Sequence, residues 1–558
     1  MKVKLPLVID DPYTTRTRGF PLLEYVQTGD EEFFLDGPIT RRLAVLDFDP
    51  ETGALLPGCE YMRPNGAKPG AYRVPKVRDL YSPSFIQANV FSTILQTIYM
   101  FEERDALGRK LKWGFDGPQL FVVPRAGEWA NAFYERDSRS IQFFYISGSD
   151  RIVYTSLSCD VIAHEAAHAI LDGIAPTLYH SIAPQSLALH EAVADLTALL
   201  MAFRRRTLRA NVLNNTEASV AGFTAFTDIA TEFAYARDPE MRDRPLRSLD
   251  NEKTLNPNDV SVDRFGNPNL VRRDEPHALS EVLTGALFKV FEKIYYALRK
   301  ENPGQSSGWA LVRASEQLKR MTLRALDYLP PGEVSFSDFG RAVLAADQAA
   351  HPNSSQVRRW LRYEFLRRAV TLDSRSLRVR TNFEHKGLEG VDLETLIDSD
   401  WAAYEFANRN RRFLRIPGKT AFHVYPRLDS TKYLYHKQRA RAEPFRELIF
   451  KVSWDVQEPN NVSSLLPKER VVRLGTTLVI DWEKRKVRSR LTSDSKQQQR
   501  SDRDAMIRSL LDDGVLRIGE DALGPDGKPL CSAVIGECMN GLLHISGTAR
   551  LLHIAEVV

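Results

Sequence analysis

The chain has 558 residues, of which 43% are hydrophobic and 27% charged, a composition that is typical of globular proteins and excludes a disordered chain. The 76 lysines and arginines nearly balance the 72 acidic residues, and a formal net charge of +4 gives no reason to expect nucleic acid as a partner. Four cysteines are too few for a disulfide scaffold. Free thiols in a reducing compartment are therefore favoured, with a pair between Cys531 and Cys538 as the alternative.

The N-terminus carries only a short apolar stretch, Leu5–Ile9, which Pro6 interrupts and Asp10 closes. It is too short for the core of a signal peptide. We expect no later segment to reach the roughly 18 apolar residues that span a bilayer. The sequence therefore predicts a cytoplasmic protein that does not enter a membrane, and it leaves export by a signal-independent route open.

The first 75 residues contain many Pro, Gly and Asp residues, which predicts strands and loops. Apolar residues at helical spacing predict a helix from Ser84 to Arg104, and short apolar runs at 120–124 and 140–146 predict strands. Helices then dominate up to about residue 370. They are predicted at Asp160–Asp172, where Gly173 ends the helix, at Ser186–Phe203 and at Pro276–Arg299.

Beyond residue 370 the pattern changes from helical to strand-like. Residues 371–390 are polar and basic and predict a linker, and Leu393–Arg412 predicts one more helix. Strands follow from about residue 419, interrupted by a helix at Ser501–Leu511, and the chain is predicted to form a hairpin turning at Ser546–Gly547. The fold class is α+β. The expected segments are 1–75, 76–160, 161–370, 371–415 and a β-rich C-terminal domain, 416–558.

The segment HEAAH at 164–168 is the clearest chemical signal in the chain. His164 and His168 are four residues apart, so on a helix they share one face and can both reach one Zn²⁺. Glu165 projects beside such an ion and is placed to act as a general base towards water. The sequence therefore predicts a metal site on this helix.

A second helix, with HEAVAD at 190–195, supplies the remaining groups. Glu191 and Asp195 are again four apart, and a catalytic zinc takes three protein ligands and keeps one position open. We expect Glu191 to be the third ligand and Asp195 to accept a hydrogen bond from a ligand histidine. His190 is a competing ligand, which we rank as a neighbour because it lies about 100° round the helix.

Together these motifs resemble those of the thermolysin-like metallopeptidases, in the gluzincin group, and the likeness extends from about Lys76 to Val370. The resemblance implies a two-lobed fold, with a β-rich lobe at 76–160 and a helical catalytic lobe at 161–370. It also implies one catalytic Zn²⁺ and hydrolysis of peptide bonds.

Three further segments are similar to parts of that family. Asp172 and Tyr179, four and eleven residues past His168, match the spacing of an aspartate behind the ligands and of a tyrosine that stabilises the transition state. His277 opens a helix similar to the one that bears the family's second catalytic histidine. The resemblance therefore implies catalytic roles for Tyr179 and His277.

The implied substrate contacts lie in two other segments. Asn131 and Ala132 begin a stretch similar to the family's edge strand, which binds the substrate backbone, and Arg247 matches an arginine that contacts the substrate carbonyl. We expect these residues to hold the peptide as an extended strand.

The sequence also departs from the family. The aspartate that partners the second histidine should lie five residues before it, but Asp274 is three before His277. Asp160 matches a calcium ligand, but its expected partner falls on Ala202, so calcium is not predicted. The residues after 370 have no counterpart in the resemblance.

The sequence thus predicts a zinc metallopeptidase that acts on a peptide or protein. It is expected to be an endopeptidase or, if an extra lobe blocks one end of the cleft, an exopeptidase. The C-terminal domain is a candidate for docking a protein partner. The alternative is a catalytically silent peptide-binding module on a metallopeptidase scaffold, and a protease assay with and without a chelator separates the two.

Overall fold

The structure is a computed structural model of the full chain. It describes residues 3–17, 23–28, 33–75, 79–148, 151–222, 224–241, 244–435, 442–464, 466–493, 497–518 and 534–546. Helix makes up 41% and strand 23%, which confirms the α+β class. Cys531 and Gly547 lie outside the described residues, and with them the predicted cysteine pair and part of the predicted final turn.

The strands of the N-terminal part form two four-stranded sheets and two smaller pairs. One sheet has the order β2-β1-β5-β4 and the other the order β3-β6-β8-β7, so β7 lies at an edge. The strands are β1 Val3–Val8, β2 Leu23–Thr28, β3 Leu43–Val45, β4 Tyr61–Met62, β5 Gly70–Tyr72, β6 Leu120–Val123, β7 Ala132–Glu135, β8 Ser140–Phe143, β9 Tyr145–Ser147, β10 Ile152–Tyr154, β11 Asp228–Ile229 and β12 Arg247–Ser248.

Helices form the body against which these sheets pack. They are α1 Pro12–Thr17, α2 Pro83–Glu102, α3 Cys159–Ile174, α4 Pro184–Arg204, α5 Arg206–Asn215, α6 Thr231–Arg237, α7 Pro276–Glu301, α8 Ser307–Tyr328, α9 Phe336–Ala350, α10 Gln356–Arg367, α11 Leu393–Asp398, α12 Asp400–Arg409, α13 Arg411–Leu414 and α14 Gln497–Asp512. Short 3₁₀ turns lie at Thr155–Leu157, Pro176–His180, Pro239–Met241, Ser374–Leu377 and Lys386–Leu388.

The C-terminal part forms a nine-stranded sheet, with the order β13-β18-β17-β21-β20-β19 and with β16 pairing β14, β15 and β17. Alternate residues of its long strand β16 face two different cores, because side chains alternate across a strand. Phe450 packs with α11–α13, whereas Ile449 joins the core of the helical body. The strands are β13 Thr381–Phe383, β14 His423–Val424, β15 Leu428–Leu434, β16 Glu443–Pro459, β17 Glu469–Asp481, β18 Val487–Thr492, β19 Leu516–Ile518, β20 Val534–Met539 and β21 Leu542–Ser546.

One hydrophobic core joins the helical body to both ends of the described chain, since it includes residues from Val3 to Leu543. The helix α4, at its centre, is long and apolar enough to span a membrane, so our expectation that no segment reaches this length was wrong. The most apolar 18-residue stretch of α4 is 94% buried inside the protein, as is typical of a core helix in a globular body.

Two predicted elements differ from the structure. Gly173 does not end α3, which runs to Ile174; a Cβ at Gly173 would collide with the carbonyl oxygen of Lys112, so the glycine allows a close backbone approach. The single helix predicted at Leu393–Arg412 is divided into α11, α12 and α13, because the Ser399 hydroxyl accepts a hydrogen bond from the Ala402 amide and begins a new helix.

Candidate metal centre

Two buried helices bring the predicted ligands together. Asp160 lies in the first turn of α3, where its negative charge interacts favourably with the positive end of the helix dipole. Pro184 is the first residue of α4, a position at which the backbone N–H that proline lacks would have no partner within the helix. His164 and His168 lie on the face of α3 that packs against α4, and Glu191 faces them from α4. The helical periodicity predicted from the sequence therefore produces one cluster.

The three side chains converge on one small space. The Nε2 atoms of His164 and His168 lie 3.1 Å apart. Glu191 places Oε2 3.4 Å from the first of these nitrogens and Oε1 3.3 Å from the second. One donor atom from each residue lies within 4.8 Å of the others, and all three residues are buried. This group can hold a metal ion.

Asp195 and Arg247 orient the first of these ligands. The Nδ1 of His164 lies 2.9 Å from Asp195 Oδ1, so the carboxylate accepts a hydrogen bond, and the Nε2 atom faces Glu191. Arg247 binds the same carboxylate through Nε and Nη2, each at 3.1 Å. Burial would raise the pKa of Asp195, but the charge of Arg247 and the bond from His164 lower it below its usual value.

The electrostatics of the cluster favour positive charge. Burial would raise the pKa of Glu191, but His277 and hydrogen bonds from the ligand imidazoles hold it well below its ordinary value. Burial opposes protonation of His164, yet bonds to Asp195 and Glu191 raise its pKa well above the usual value. The two carboxylates therefore favour a cation at this place, and a divalent metal ion satisfies that preference.

His190 is the neighbour of the second ligand. Its Nδ1 lies 3.4 Å from Nδ1 of His168, and the two rings stack with centroids 5.6 Å apart. Burial, together with the charge of His168, lowers the pKa of His190 to about 3, so its ring is neutral. It therefore contacts the Nδ1 atom of His168, as Asp195 contacts the Nδ1 atom of His164.

His277 reaches the edge of the cluster, with its Nε2 3.9 Å from Glu191 Oε2. Its partner is Glu275, whose Oε1 lies 3.2 Å from His277 Nδ1, whereas Asp274 pairs with Arg272. The same Glu275 side chain caps α7 by accepting the amide of His277. Sequence reasoning missed Glu275, although Pro276 is typical of a first helical position and so marks the residue before it as the helix cap.

Glu165 is 5% exposed and follows His164 on α3. It stands three residues before His168, so it shares that side of the helix. The predicted general base is therefore a buried carboxyl beside the ligand pair.

Asp172 and Tyr179 both contact Arg136, a residue that sequence reasoning did not select. Asp172 accepts hydrogen bonds from Tyr134 at 2.7 Å and from Arg136 Nε at 2.9 Å. The Arg136 guanidinium lies 4.0 Å from the ring centre of Tyr179, and the Tyr179 hydroxyl is 3.4 Å from the Arg136 amide nitrogen. These contacts tie the end of β7 to α3 and to the turn Pro176–His180.

The predicted substrate segment lies on an edge strand. Within the described residues β7 pairs with β8 and is the last strand of its sheet. Asn131 is fully buried and its Oδ1 accepts the amide of Ala132 at 2.8 Å, which holds the start of the strand. Arg247, the third residue predicted to contact substrate, directs its guanidinium to Asp195.

Comparison of the chain with models of known protein families gives no match, and comparison with curated proteins gives none either. The arrangement of His164, His168 and Glu191 therefore rests on the geometry of α3 and α4 alone.

Proposed function

We propose that the protein is a zinc-dependent peptidase of the thermolysin-like, two-lobed type, extended by a C-terminal sheet. The observation that carries the proposal is the convergence of two imidazoles and one carboxylate on a single buried space, with Glu165 next to them. Two neutral histidines and one carboxylate are a donor set that zinc takes in hydrolytic sites, where a fourth position stays open. Asp195, bound to His164, supports this reading because such a partner orients a ligand imidazole.

In the proposed hydrolysis, the metal ion and the side chains of the protein have different roles. A zinc ion bound there supplies a Lewis acid that polarises the scissile carbonyl and acidifies water. Glu165 takes the proton from the attacking water and delivers it to the leaving amine. His277 is the proposed donor to the developing oxyanion, since Glu275 holds its Nδ1 and its Nε2 faces Glu191. Only the resemblance supports the same role for Tyr179, whose hydroxyl contacts Arg136.

The position of β7 at the end of its sheet supports a peptide as the substrate. An extended peptide adds to such an edge through backbone hydrogen bonds, which do not depend on its sequence. Asn131 and Ala132 hold the first part of this edge, and Arg247 supports the metal centre from the Asp195 side. In this proposal the Arg247 side chain acts on substrate through Asp195 and the ligands.

The decisive test replaces the general base. We expect Glu165→Gln to keep zinc, as metal analysis of the purified protein measures, and to lose at least about 100-fold in kcat/KM on quenched peptides, because the amide cannot take a proton. Glu191→Ala should lose the metal itself. As a matched control, Glu301→Gln, at the exposed end of α7, should change neither zinc content nor turnover.

Two results would contradict the proposal. Normal turnover by Glu165→Gln would remove this residue from its role. If the zinc-loaded wild type cleaves neither casein nor a diverse set of quenched peptides, the catalytically silent binding module takes the place of the peptidase.

A further inference from the structure

A cavity of about 370 Å³ borders the candidate metal centre at Arg247, whose side chain lines the cavity and binds Asp195. Strand β12 contributes Ser248 to the wall of this cavity, and helix α7 contributes Glu281. The chain between β12 and α7 forms much of the remaining wall and includes Asn269. Three polar side chains from separate segments therefore face one space that is large enough for a small ligand.

Glu281 differs from the other acidic side chains that line this cavity. Each of the other three forms an ion pair: Asp250 with Lys289, Glu252 with Arg367, and Asp263 with Lys253. Among the residues that the structure describes, none forms an ion pair with the Glu281 carboxyl or donates a hydrogen bond to it. Burial without such a partner raises the pKa of Glu281 to about 7.

The basic side chains near Glu281 donate their hydrogen bonds elsewhere. Arg247 donates to both carboxylate oxygens of Asp195, each at 3.1 Å, and Lys253 donates to the Pro268 carbonyl at 3.0 Å. Their charges lower the pKa of Glu281, but they do not offset the effect of burial. Glu281 therefore lacks a hydrogen-bond donor, which a ligand in the cavity can supply.

Two neutral polar atoms of the wall also lack a partner within the described part of the chain. Asn269 is 4% exposed, and its Nδ2 donates to Ser261 Oγ at 2.9 Å, whereas its Oδ1 accepts no hydrogen bond there. The buried Ser248 Oγ is in the same situation. Asn251 keeps Ser248 beside Glu281, because its Nδ2 donates to the backbone carbonyls of both, at 2.8 and 3.1 Å. The wall thus offers three oxygen atoms as acceptors.

Apolar side chains provide a second kind of contact in the cavity. Leu246, Val262 and Phe265 line it, and Val262 is 58% exposed. An alkyl chain can pack against such side chains, as the stem of a lysine does on protein surfaces. An ammonium group at the end of that chain has three N–H donors and carries the positive charge that a carboxylate prefers.

We propose that this cavity binds a primary ammonium group on an alkyl chain, with Glu281 as its counter-ion. The ammonium group donates to the Glu281 carboxylate, to Asn269 Oδ1 and to Ser248 Oγ, and the alkyl chain lies against Leu246 and Phe265. The source is either a free aliphatic amine or the side chain of a lysine in a peptide. The proposal goes beyond the proposed peptidase function and does not depend on it, because it concerns binding alone.

Isothermal titration calorimetry of the metal-loaded full chain at pH 8 tests the proposal. At this pH the Glu281 carboxyl is ionised and an alkylamine, with a pKa of about 10.4, is protonated. The probes are n-pentylamine and Nα-acetyl-lysine N-methylamide, and the controls are the norleucine analogue, which lacks the amine, and hexanoate. We expect the amines to bind at least about tenfold more tightly than either control. Binding of both amines identifies a lysine side chain as a ligand, and binding of pentylamine alone identifies a free amine.

Variants of the wall locate the bound amine. Glu281→Gln should weaken amine binding by at least about tenfold, because it removes the charge and keeps the shape of the side chain. The matched control is Glu252→Gln, which changes another carboxyl of the same wall, one that Arg367 already pairs, and should stay within about twofold of wild type. Ser248→Ala removes one neutral acceptor and should weaken binding by about threefold, which keeps the test valid if Glu281→Gln does not fold.

Four results would overturn the proposal. They are equal binding of the norleucine analogue, tighter binding of hexanoate than of the amines, unchanged amine binding in Glu281→Gln, and an equal loss in Glu252→Gln. Each of them leaves the peptidase function standing, since none of these measurements involves hydrolysis. Conversely, a protein that cleaves no peptide but binds pentylamine through Glu281 keeps this site and loses the peptidase function.

Discussion

The Asp195 carboxylate is held in position by two other side chains, those of His164 and Arg247. It accepts from His164 on one side and from Arg247 on the other, and these three residues come from α3, α4 and β12. A carboxylate that is held in this way keeps the ligand ring in one tautomer and one orientation. The precision of the candidate metal centre therefore depends on a residue, Arg247, that binds no metal itself.

Glu281 is a second carboxyl near this group, one turn after His277 on α7. Burial raises its pKa to about 7, although the charges of Lys253 and Arg247 oppose the shift. A carboxyl whose pKa is higher in the folded than in the unfolded state stabilises the fold at low pH and loses that contribution as the pH rises towards 7. The protein should therefore lose stability between about pH 4.5 and pH 7 on account of this group.

We expect Glu281→Gln to remove this pH dependence, because the amide resembles the protonated acid and does not ionise. The melting temperatures of variant and wild type should agree near pH 4.5, and the variant should melt higher at pH 8, as differential scanning fluorimetry measures. The exposed Glu389→Gln is the matched control, with equal melting temperatures at both values. A variant that melts lower than wild type at pH 8 would contradict the assignment.

Helix α9 begins with two reciprocal hydrogen bonds between Ser335 and Asp338. The Ser335 hydroxyl accepts the Asp338 amide at 3.1 Å, and the Asp338 carboxylate accepts the Ser335 amide at 2.9 Å. This reciprocal pair is a capping box and satisfies two amides that the helix itself leaves unbonded. Since α9 packs beside β18, its start also positions the C-terminal sheet.

Ser335→Ala should therefore destabilise the protein by about 1–2 kcal/mol, the usual cost of losing an N-cap side chain. Chemical denaturation measures the change. Ser355→Ala is the control, because Ser355 precedes α10 without capping it through its side chain, and its effect should stay below about 0.5 kcal/mol. Equal effects of both substitutions would show that the capping box does not stabilise α9.

The elements also show where sequence patterns succeed and fail. The periodicity that predicted α3, α4 and α7 is local, and the observed bounds agree with it to within a few residues. The described residues contain a hairpin that the sequence analysis did not predict, between β20 and β21, which turns at Asn540–Gly541, where both residues have positive φ. The turn predicted at Ser546–Gly547 extends outside the described residues. Asn-Gly is the strongest short signal for such a turn, and the sequence analysis did not use it.

At the scale of the whole molecule, buried charges join the C-terminal sheet to the helical body. Lys432 on β15 is fully buried, with its Nζ 2.7 Å from Glu447 and 3.4 Å from Asp327 on α8. Glu447 also accepts from the Tyr328 hydroxyl at 2.8 Å. Such a network fixes the position of the C-terminal sheet relative to the helical body, because each charge is costly to bury without its partners.

Lys432→Met should destabilise the protein by about 3 kcal/mol, since it leaves two buried carboxylates without one of their cations. Urea denaturation gives the free energy of unfolding. Lys486→Met removes a partly exposed lysine directly before β18 and should cost less than about 0.5 kcal/mol. If Lys432→Met has no larger effect than this control, the network does not hold the sheet to the body.

The sequence by itself determined which side chains share a helix face: His164 with His168, and Glu191 with Asp195, because a helical repeat depends only on near neighbours. Only the tertiary structure decided which partners these residues meet. Arg247 lies 52 residues from Asp195, and Arg503 lies 170 residues from Glu333, and no local pattern records such contacts. For the same reason the place of the C-terminal sheet against the helical body could be found only in the fold.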